Sequence, residues 1–176
     1  MNENVVIIPT YNEKENIEIA ISKILNLKNK FDIIVVDDNS PDQTGKIVKN
    51  LIKKNKYETK IHLIERKNKD GLGSAYIEGF KYAIDKNYSY IFQLDADGSH
   101  NPSDLEVLRN ILYLKKSDIV IGSRYIKGIT VVNWPISRVL LSYFANKYVN
   151  IITGISIRDT TGGFNGYTYK ALKSIL

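Results

Sequence analysis

Short runs of almost unbroken apolar residues recur along this chain, spaced so that one helix fits between each pair. VVIIP at 5–9, IIVVD at 33–37, IHLIE at 61–65, YIFQLD at 90–95 and DIVIG at 118–122 read as strands. Four of the five are nearly continuous in apolar character, the mark of strands covered on both faces. Between them lie helical periodicities. Residues 13–27 carry Ile17, Ile21, Ile24 and Leu25 on one face, and 44–54 carry Ile47, Val48, Leu51 and Ile52; 73–85 and 103–114 follow. Ser103, with Glu106 three residues on, reads as a capping box opening the last of these. Regular strand–helix alternation predicts an α/β fold in three layers, a mostly parallel central sheet with helices on both faces.

A length of 176 residues fits one domain with a full core. No apolar run approaches the ~20 residues that cross a bilayer. Asn2, Glu3 and Asn4 lead directly into the first strand, which is not the pattern of a signal peptide. Cysteine is absent, so disulfide and thiolate chemistry are excluded and the cytoplasm is the expected compartment. The net charge of +6 suits anionic partners: nucleic acid, a phosphorylated substrate or a membrane face. The lysines are scattered and form no basic stripe, which fits a solvated surface equally well.

In parallel α/β sheets, ligands sit outside the carboxyl ends of the strands. Polar chemistry collects there: PTYNE (9–13), DDNSPDQTG (37–45), KNKDGLGSA (67–75), DADGSH (95–100) and GSRY (122–125). Turns or caps would account for one or two such stretches, not for all five. Asp95 and Asp97, two apart at a turning strand end, can face one site. Two hard oxygen ligands, completed by substrate phosphates, are how Mg2+ or Mn2+ is held; an Asx-turn built from Asp, Gly and Ser is the other reading. Gln93 supports the sheet, and His100 is a further ligand, a neighbour of one, or neither. Asp37 or Asp38 can accept hydrogen bonds from a ribose or a base, or cap the next helix together with Ser40 and Asp42. Pro9, Tyr11 and Glu13 offer a rigid turn, an aromatic face and an acceptor. GLGSA lacks the spacing of either phosphate-binding glycine fingerprint and reads as a tight helix entry that lets backbone approach a ligand. Arg124 suits bidentate phosphate capture or a surface ion pair.

Taken together, PTYNE, VDDNSPDQT, GLGSAY, DADGSHNP and GSRY resemble family 2 of the glycosyltransferases, with the nucleotide-sugar-binding GT-A (Rossmann-like) fold, in the family's order across essentially the whole chain. WPISRVLLSYFANKYVNIITG and RDTTGGFNGY, residues 134–167, resemble the polyprenol-phosphate mannosyltransferases, the dolichol-phosphate mannose synthase group. The resemblance implies a base pocket lined by Pro9, Tyr11 and Glu13, with Val36 and Asp38 on the nucleoside. It implies that Asp95, Ala96 and Asp97 hold the sugar diphosphate, the two acids through a divalent metal. Some relatives place a Gln ligand four positions after the first Asp, where this chain has Ser99. Arg124, Arg138 and Ser142 match positions that grip the lipid phosphate or the transferred sugar-phosphate, and Arg138 and Ser142 are one helical turn apart. Members of the group continue well beyond the GGF strand. The expectation is therefore a single catalytic domain, 1–176, lacking the family's usual C-terminal segment.

What the resemblance implies about function is transfer of a hexose, mannose from GDP-mannose foremost, to a polyprenyl phosphate, metal-dependent and inverting. The alternatives are another nucleotide sugar of the UDP-glucose type, or a catalytically silent nucleotide-sugar-binding module. Nucleic acid is not expected as a partner. The segment 137–152 has a broader apolar surface than one core stripe needs. It suits either a core helix or a peripheral contact at the cytoplasmic face of a membrane. A phosphoacceptor receiver domain also gathers acids at strand ends, but its acid pair follows the first strand and a Lys the fifth. Here the pair follows the second strand and Arg124 the fifth.

Overall fold

A computed structural model of the chain describes residues 3–56, 59–123, 136–154, 159 and 162–176, with the side chains of 136–142 excepted. The strands are β1 (Asn4–Thr10), β2 (Phe31–Asp37), β3 (Ile61–Glu65), β4 (Tyr90–Gln93), β5 (Ile119–Ile121) and β6 (Asn165–Thr168). The helices are α1 (Ile17–Leu25), α2 (Thr44–Lys54), α3 (Leu72–Asp85), α4 (Leu105–Tyr113), α5 (Ile136–Thr153) and α6 (Tyr169–Ile175). They build one six-stranded sheet in the order β3-β2-β1-β4-β6-β5. β1 pairs in parallel with β2 and β4, and β2 with β3. β6 enters antiparallel between β4 and β5. The five strands read from the apolar runs therefore point the same way, and their carboxyl ends share one edge.

Both sheet faces are covered, as continuous apolar runs require. Val6, Ile8, Ile33, Val35, Phe92 and Leu94 point into one core layer with Ile17, Ile21 and Ile24 of α1, Val48 of α2 and Leu105, Leu108 and Leu112 of α4. Val5, Ile7, Ile34, Val36 and Ile91 point into the other, with Ala75, Tyr76, Phe80 and Ala83 of α3 and Leu172 of α6. The alternation along each strand is the period-two pleat. The helical members recur at three- and four-residue spacing. α3 lies so close to β1 that a Cβ at Gly79 would stand 2.5 Å from Ile7 Cγ2.

Three local expectations are corrected. The capping box at Ser103 does not form: Asn101 Oδ1 accepts from Ser103 N at 3.1 Å and opens a short 3-10 helix, Pro102–Asp104, before α4. Pro102 brings no N–H and a preset φ, which favours it as a first helical residue. Glu106 instead reaches the turn before β2, accepting from Asn29 N at 2.8 Å and from Asn29 Nδ2. α1 begins at Ile17 rather than 13, after a turn in which Asn16 N and Ile17 N both donate to Glu13 O, at 3.0 and 2.9 Å. β4 ends at Gln93; Leu94 N still donates to Ile7 O of β1 at 3.1 Å, and Asp95 to Asp97 run on beyond the strand.

Candidate functional site

The loop after β1 is laced to the loop after β2. The amides of Asn12, Glu13 and Lys14 donate to Ser40 Oγ, Thr44 Oγ1 and Asp42 Oδ2 at 3.1, 3.0 and 3.0 Å. Register places Thr10 beside Asp37. Thr10 Oγ1 donates to Asp37 Oδ1 at 2.8 Å, and Ser40 N and Oγ donate to Asp37 at 3.0 and 2.6 Å. Asp37 is thus a buried turn-former. Asp42 accepts from Thr44 N at 3.0 Å at the head of α2. The adjacent acids therefore divide: Asp37 and Asp42 hold the loop, and Asp38 is left to face the cleft.

That cleft, of ≈ 180 Å³, lies at the carboxyl edge of the sheet between Tyr11, Asp38, Lys69, Leu72 and the Asp95–Asp97 turn. Pro9, Glu13, Ala75 and Ala96 complete its wall with Thr10. Of the residues expected on the nucleotide sugar, Pro9, Tyr11, Glu13, Asp38, Asp95, Ala96 and Asp97 are brought together here. Val36 is not: its side chain is wholly buried in the core layer under α3, as the pleat dictates for a residue two after Ile34. Glu13 Oε2 also accepts from Asn16 Nδ2 at 2.8 Å. Lys69 Nζ stands 3.8 Å over the Tyr11 ring, on the aromatic face a base would use.

Asp38 is buried against Arg66, whose Nη1 stands 3.0 Å from Asp38 Oδ1. The two are in ion-pair contact without the alignment of a hydrogen bond. Arg66 is also buried; Nη2 donates to Ser74 Oγ at 2.8 Å, and Asp70 and Glu78 stand 3.3 Å from Nη2 and Nε. Burial pushes the Asp38 carboxyl above its ordinary range, Arg66 pulls it back, and Asp37, Asp70 and Glu78 add to the rise. The net result is a raised carboxyl in a half-enclosed cleft, a setting that favours hydrogen bonding to neutral ligand groups.

Asp95 and Asp97 are unlike. Tyr76 donates to Asp95 Oδ1 at 2.7 Å. Burial, then the charge of Asp95, pushes the Tyr76 ionisation far up, so its hydroxyl is a donor throughout the physiological range. Asp97 is exposed, and its Oδ1 accepts from Ser99 N at 2.9 Å across a turn in which Gly98 has a φ of +77°. Asp97 forms the Asx-turn of the second reading, and it also lines the cleft. Gln93 supports the sheet, Oε1 accepting from Tyr167 and Asn165 at 2.7 and 2.9 Å. His100 stacks on Phe164, ring centroids 4.8 Å apart. Among the described residues no three His, Asp or Glu side chains converge as a metal cage. Two carboxylates on an open turn fit Mg2+ or Mn2+, which keep waters and substrate phosphates in their shell.

Arg124 lies outside the described residues. The backbones of Arg138 and Ser142 fall on α5, four residues and one turn apart, and their side chains lie outside the described set. Farther along α5, Tyr143, Phe144, Tyr148, Ile151 and Ile152 are exposed, at 55–70% of their full surface. Among the described residues no helix is long and apolar enough to cross a membrane.

Of the residues at the cleft, Arg66 and Tyr76 were not singled out by the pattern reading, while Lys69 and Leu72 lay within the polar stretch 67–75 without a role of their own. Arg66 immediately follows β3, at a carboxyl end like the other polar stretches, but the apolar run IHLIE was followed only from Lys67 onward. Tyr76 was hidden by its α3 periodicity, which reads as core.

Residues 5–176 match the family model described as "Glycosyl transferase family 2". The chain is 40% identical over 170 residues to the polyprenol monophosphomannose synthase of Mycolicibacterium smegmatis, covering 97% of this chain and 63% of that protein. It is 45% identical over 166 residues to the dolichol-phosphate mannosyltransferase of Pyrococcus furiosus, covering 92% of this chain and 44% of that one. It thus spans less than two thirds of either relative. Among solved structures, the mannosyltransferase PcManGT of Pyrobaculum calidifontis, in complex with GDP-Man and Mn2+, superposes with a TM-score of 0.69 at 19% identity, over 99% of this chain and 46% of that one.

Proposed function

This chain belongs to glycosyl transferase family 2, and we propose that it transfers mannose from GDP-mannose, with inversion, to a polyprenyl phosphate at the cytoplasmic face of a membrane. The observation that carries this reading is the convergence of Asp38, Tyr11, Asp95 and Asp97 on one cleft at the carboxyl ends of the parallel strands. The names of the relatives from M. smegmatis and P. furiosus supply the sugar and the lipid-phosphate acceptor. The GDP-Man and Mn2+ bound to the P. calidifontis structural neighbour support the nucleotide and the ion.

In this reading Tyr11 stacks on the base after Lys69 is displaced, and Asp38, backed by Arg66, accepts from the nucleoside. The ≈ 180 Å³ enclosed by the described residues is below the ~300–1,000 Å³ of a pocket that buries a whole drug-sized ligand. The cleft therefore suits the nucleoside, with the diphosphate and sugar extending over Asp95–Asp97. Mg2+ or Mn2+ held by these two carboxylates would offset the charge of the departing diphosphate. The acceptor is a phosphate whose second ionisation is near ~6, so it is already anionic and no strong base is needed. What remains for the protein is to hold two mutually repelling anions together. Arg124, Arg138 and Ser142 are the residues proposed to do so, by charge and hydrogen bonding to the acceptor phosphate.

Calorimetric titration of GDP-mannose and UDP-glucose, each with Mn2+ and again with excess chelator, tests the reading. Metal-dependent binding that favours GDP-mannose is expected. A preference for UDP-glucose would move the chain to another sugar, and equal binding with chelator would remove the metal role. Transfer of labelled mannose to a polyprenyl phosphate then separates an enzyme from a binding module.

A further inference from the structure

Asp95 is met by a side chain from α3 and by the backbone of the segment before β6. From α3, the hydroxyl of Tyr76 reaches Oδ1 at 2.7 Å. A second acceptor, Gly163 O, stands farther from that hydroxyl, at 3.4 Å. A phenol has one proton to give, and at these distances the carboxylate takes it. From the segment before β6, the backbone of Gly163 closes on the other oxygen, where an added Cβ would lie 2.4 Å from Asp95 Oδ2. Tyr76 is itself fixed: it is 5% exposed and stacks on Phe80, whose ring meets the Tyr167 ring edge-on at 5.5 Å. Tyr167 in turn donates to Gln93, two residues before Asp95 on the same segment. Asp97, by contrast, is exposed and accepts from the Ser99 amide across its own turn.

We propose that Tyr76 and Gly163 are positioning residues that fix the Asp95 carboxylate, Tyr76 by occupying Oδ1 and Gly163 by admitting Oδ2, so that the oxygen offered to a divalent cation is set before the cation arrives. The proposal rests on the reading of Asp95 as a metal ligand. Its physical basis is that groups hydrogen-bonded to a ligating carboxylate orient it and tune it, with about 10–100-fold in metal affinity at stake. Loss of the Tyr76 hydroxyl removes its hold on Oδ1. A methyl group at Gly163 collides with the carboxylate, 2.4 Å from Oδ2 and 2.9 Å from Oδ1. Both changes act on the ion and leave the nucleoside end of the cleft untouched.

The test is Mn2+ binding by the full chain with GDP at fixed concentration, bound ion being counted by loss of the free-ion EPR signal and corrected for GDP alone. Tyr76→Phe and Gly163→Ala are each expected to weaken Mn2+ at least tenfold, while GDP binding in excess chelator stays as in the unsubstituted chain. Tyr88→Phe is the control. Tyr88 OH donates to Asp32 Oδ2 at 2.8 Å, a buried bond of the same kind far from the cleft. It is expected to lower the melting temperature as Tyr76→Phe does and to leave Mn2+ binding unchanged. Unchanged Mn2+ affinity in either folded site variant overturns the proposal and leaves a structural hydrogen bond. No Mn2+ binding by the unsubstituted chain overturns the metal reading itself, and the proposal with it. Should Tyr76→Phe not fold, Gly163→Ala, which keeps the phenol, decides alone.

Discussion

At the scale of single residues, Asp38 and Asp97 hold opposite positions, one buried against Arg66 and one exposed on a turn. Asp97→Asn is expected to leave the melting temperature unchanged and to remove the metal-dependent part of donor binding. Calorimetry with and without chelator reads this directly. Asp38 carries a different cost. Its folded pKa is raised from 3.8, first by burial. A raised folded pKa means stability that is present below 3.8 and lost as pH rises through the folded value. At neutral pH the charged form is therefore a burden on the unliganded protein, which an Asn does not carry. Asp38→Asn is expected to melt higher than the unsubstituted chain at pH 7, by an amount that shrinks toward pH 4, and to show a smaller melting shift on adding GDP. A lower melting point with an undiminished GDP shift would assign Asp38 a purely structural role. Which of the adjacent acids faces the ligand was not legible locally. It follows from the pairing of Thr10 with Asp37, a contact between residues 27 apart in the chain. Arg66 was equally silent, since one arginine after a strand says nothing of the Asp38, Asp70 and Glu78 carboxylates that gather round it.

At the scale of elements, β1 to β4 and α1 to α4 were readable from their apolar patterns; β1 and β2 are buried throughout and β4 nearly so, while β3 at the sheet edge is only partly covered. β6 was weaker: Asn165, Gly166, Tyr167 and Thr168 have no apolar run, and the strand exists because β4 and β5 offer edges on either side. The junction of β3 and α3 adds a feature the pattern does not carry. His62 is half-buried, its Nδ1 3.1 Å from Tyr82 OH. Burial lowers its pKa below 6.5; Asp32 opposes this, and Lys60 and Lys86 add to it. The folded state thus resists a proton that the unfolded chain accepts at ~6.5. The stability this contributes is full above 6.5 and is lost as pH falls from there through the folded value. The melting temperature is expected to drop between pH 7.5 and 5, and His62→Gln to flatten that drop. Equal drops in both proteins would place the titration elsewhere.

At the scale of the whole molecule, one sheet edge gathers the cleft residues, while the acceptor of the proposed reaction would arrive from a lipid phase. The described surface offers one helix suited to that phase. On α5, Tyr143, Phe144, Tyr148, Ile151 and Ile152 are exposed, a grouping that costs free energy in water unless something covers it. A helix with aromatic and aliphatic residues exposed can lie in the headgroup region, its binding scaling with buried apolar area plus attraction of net positive charge to anionic lipid. The chain's net charge of +6 supplies the second term. The two terms separate by salt, since a Debye length of about 8 Å at physiological ionic strength shrinks to about 3 Å at 1 M. The chain is expected to co-sediment with vesicles containing anionic lipid, to keep part of that binding at 1 M salt, and to bind neutral vesicles more weakly. Phe144→Asp with Ile151→Asp is expected to abolish the salt-resistant part, because both side chains are already exposed and their replacement leaves the core intact. GDP binding by the variant should be unchanged, as neither residue lines the donor cleft. Retention of the salt-resistant binding would show that α5 is not the membrane contact, and loss of GDP binding would show that α5 supports the cleft instead.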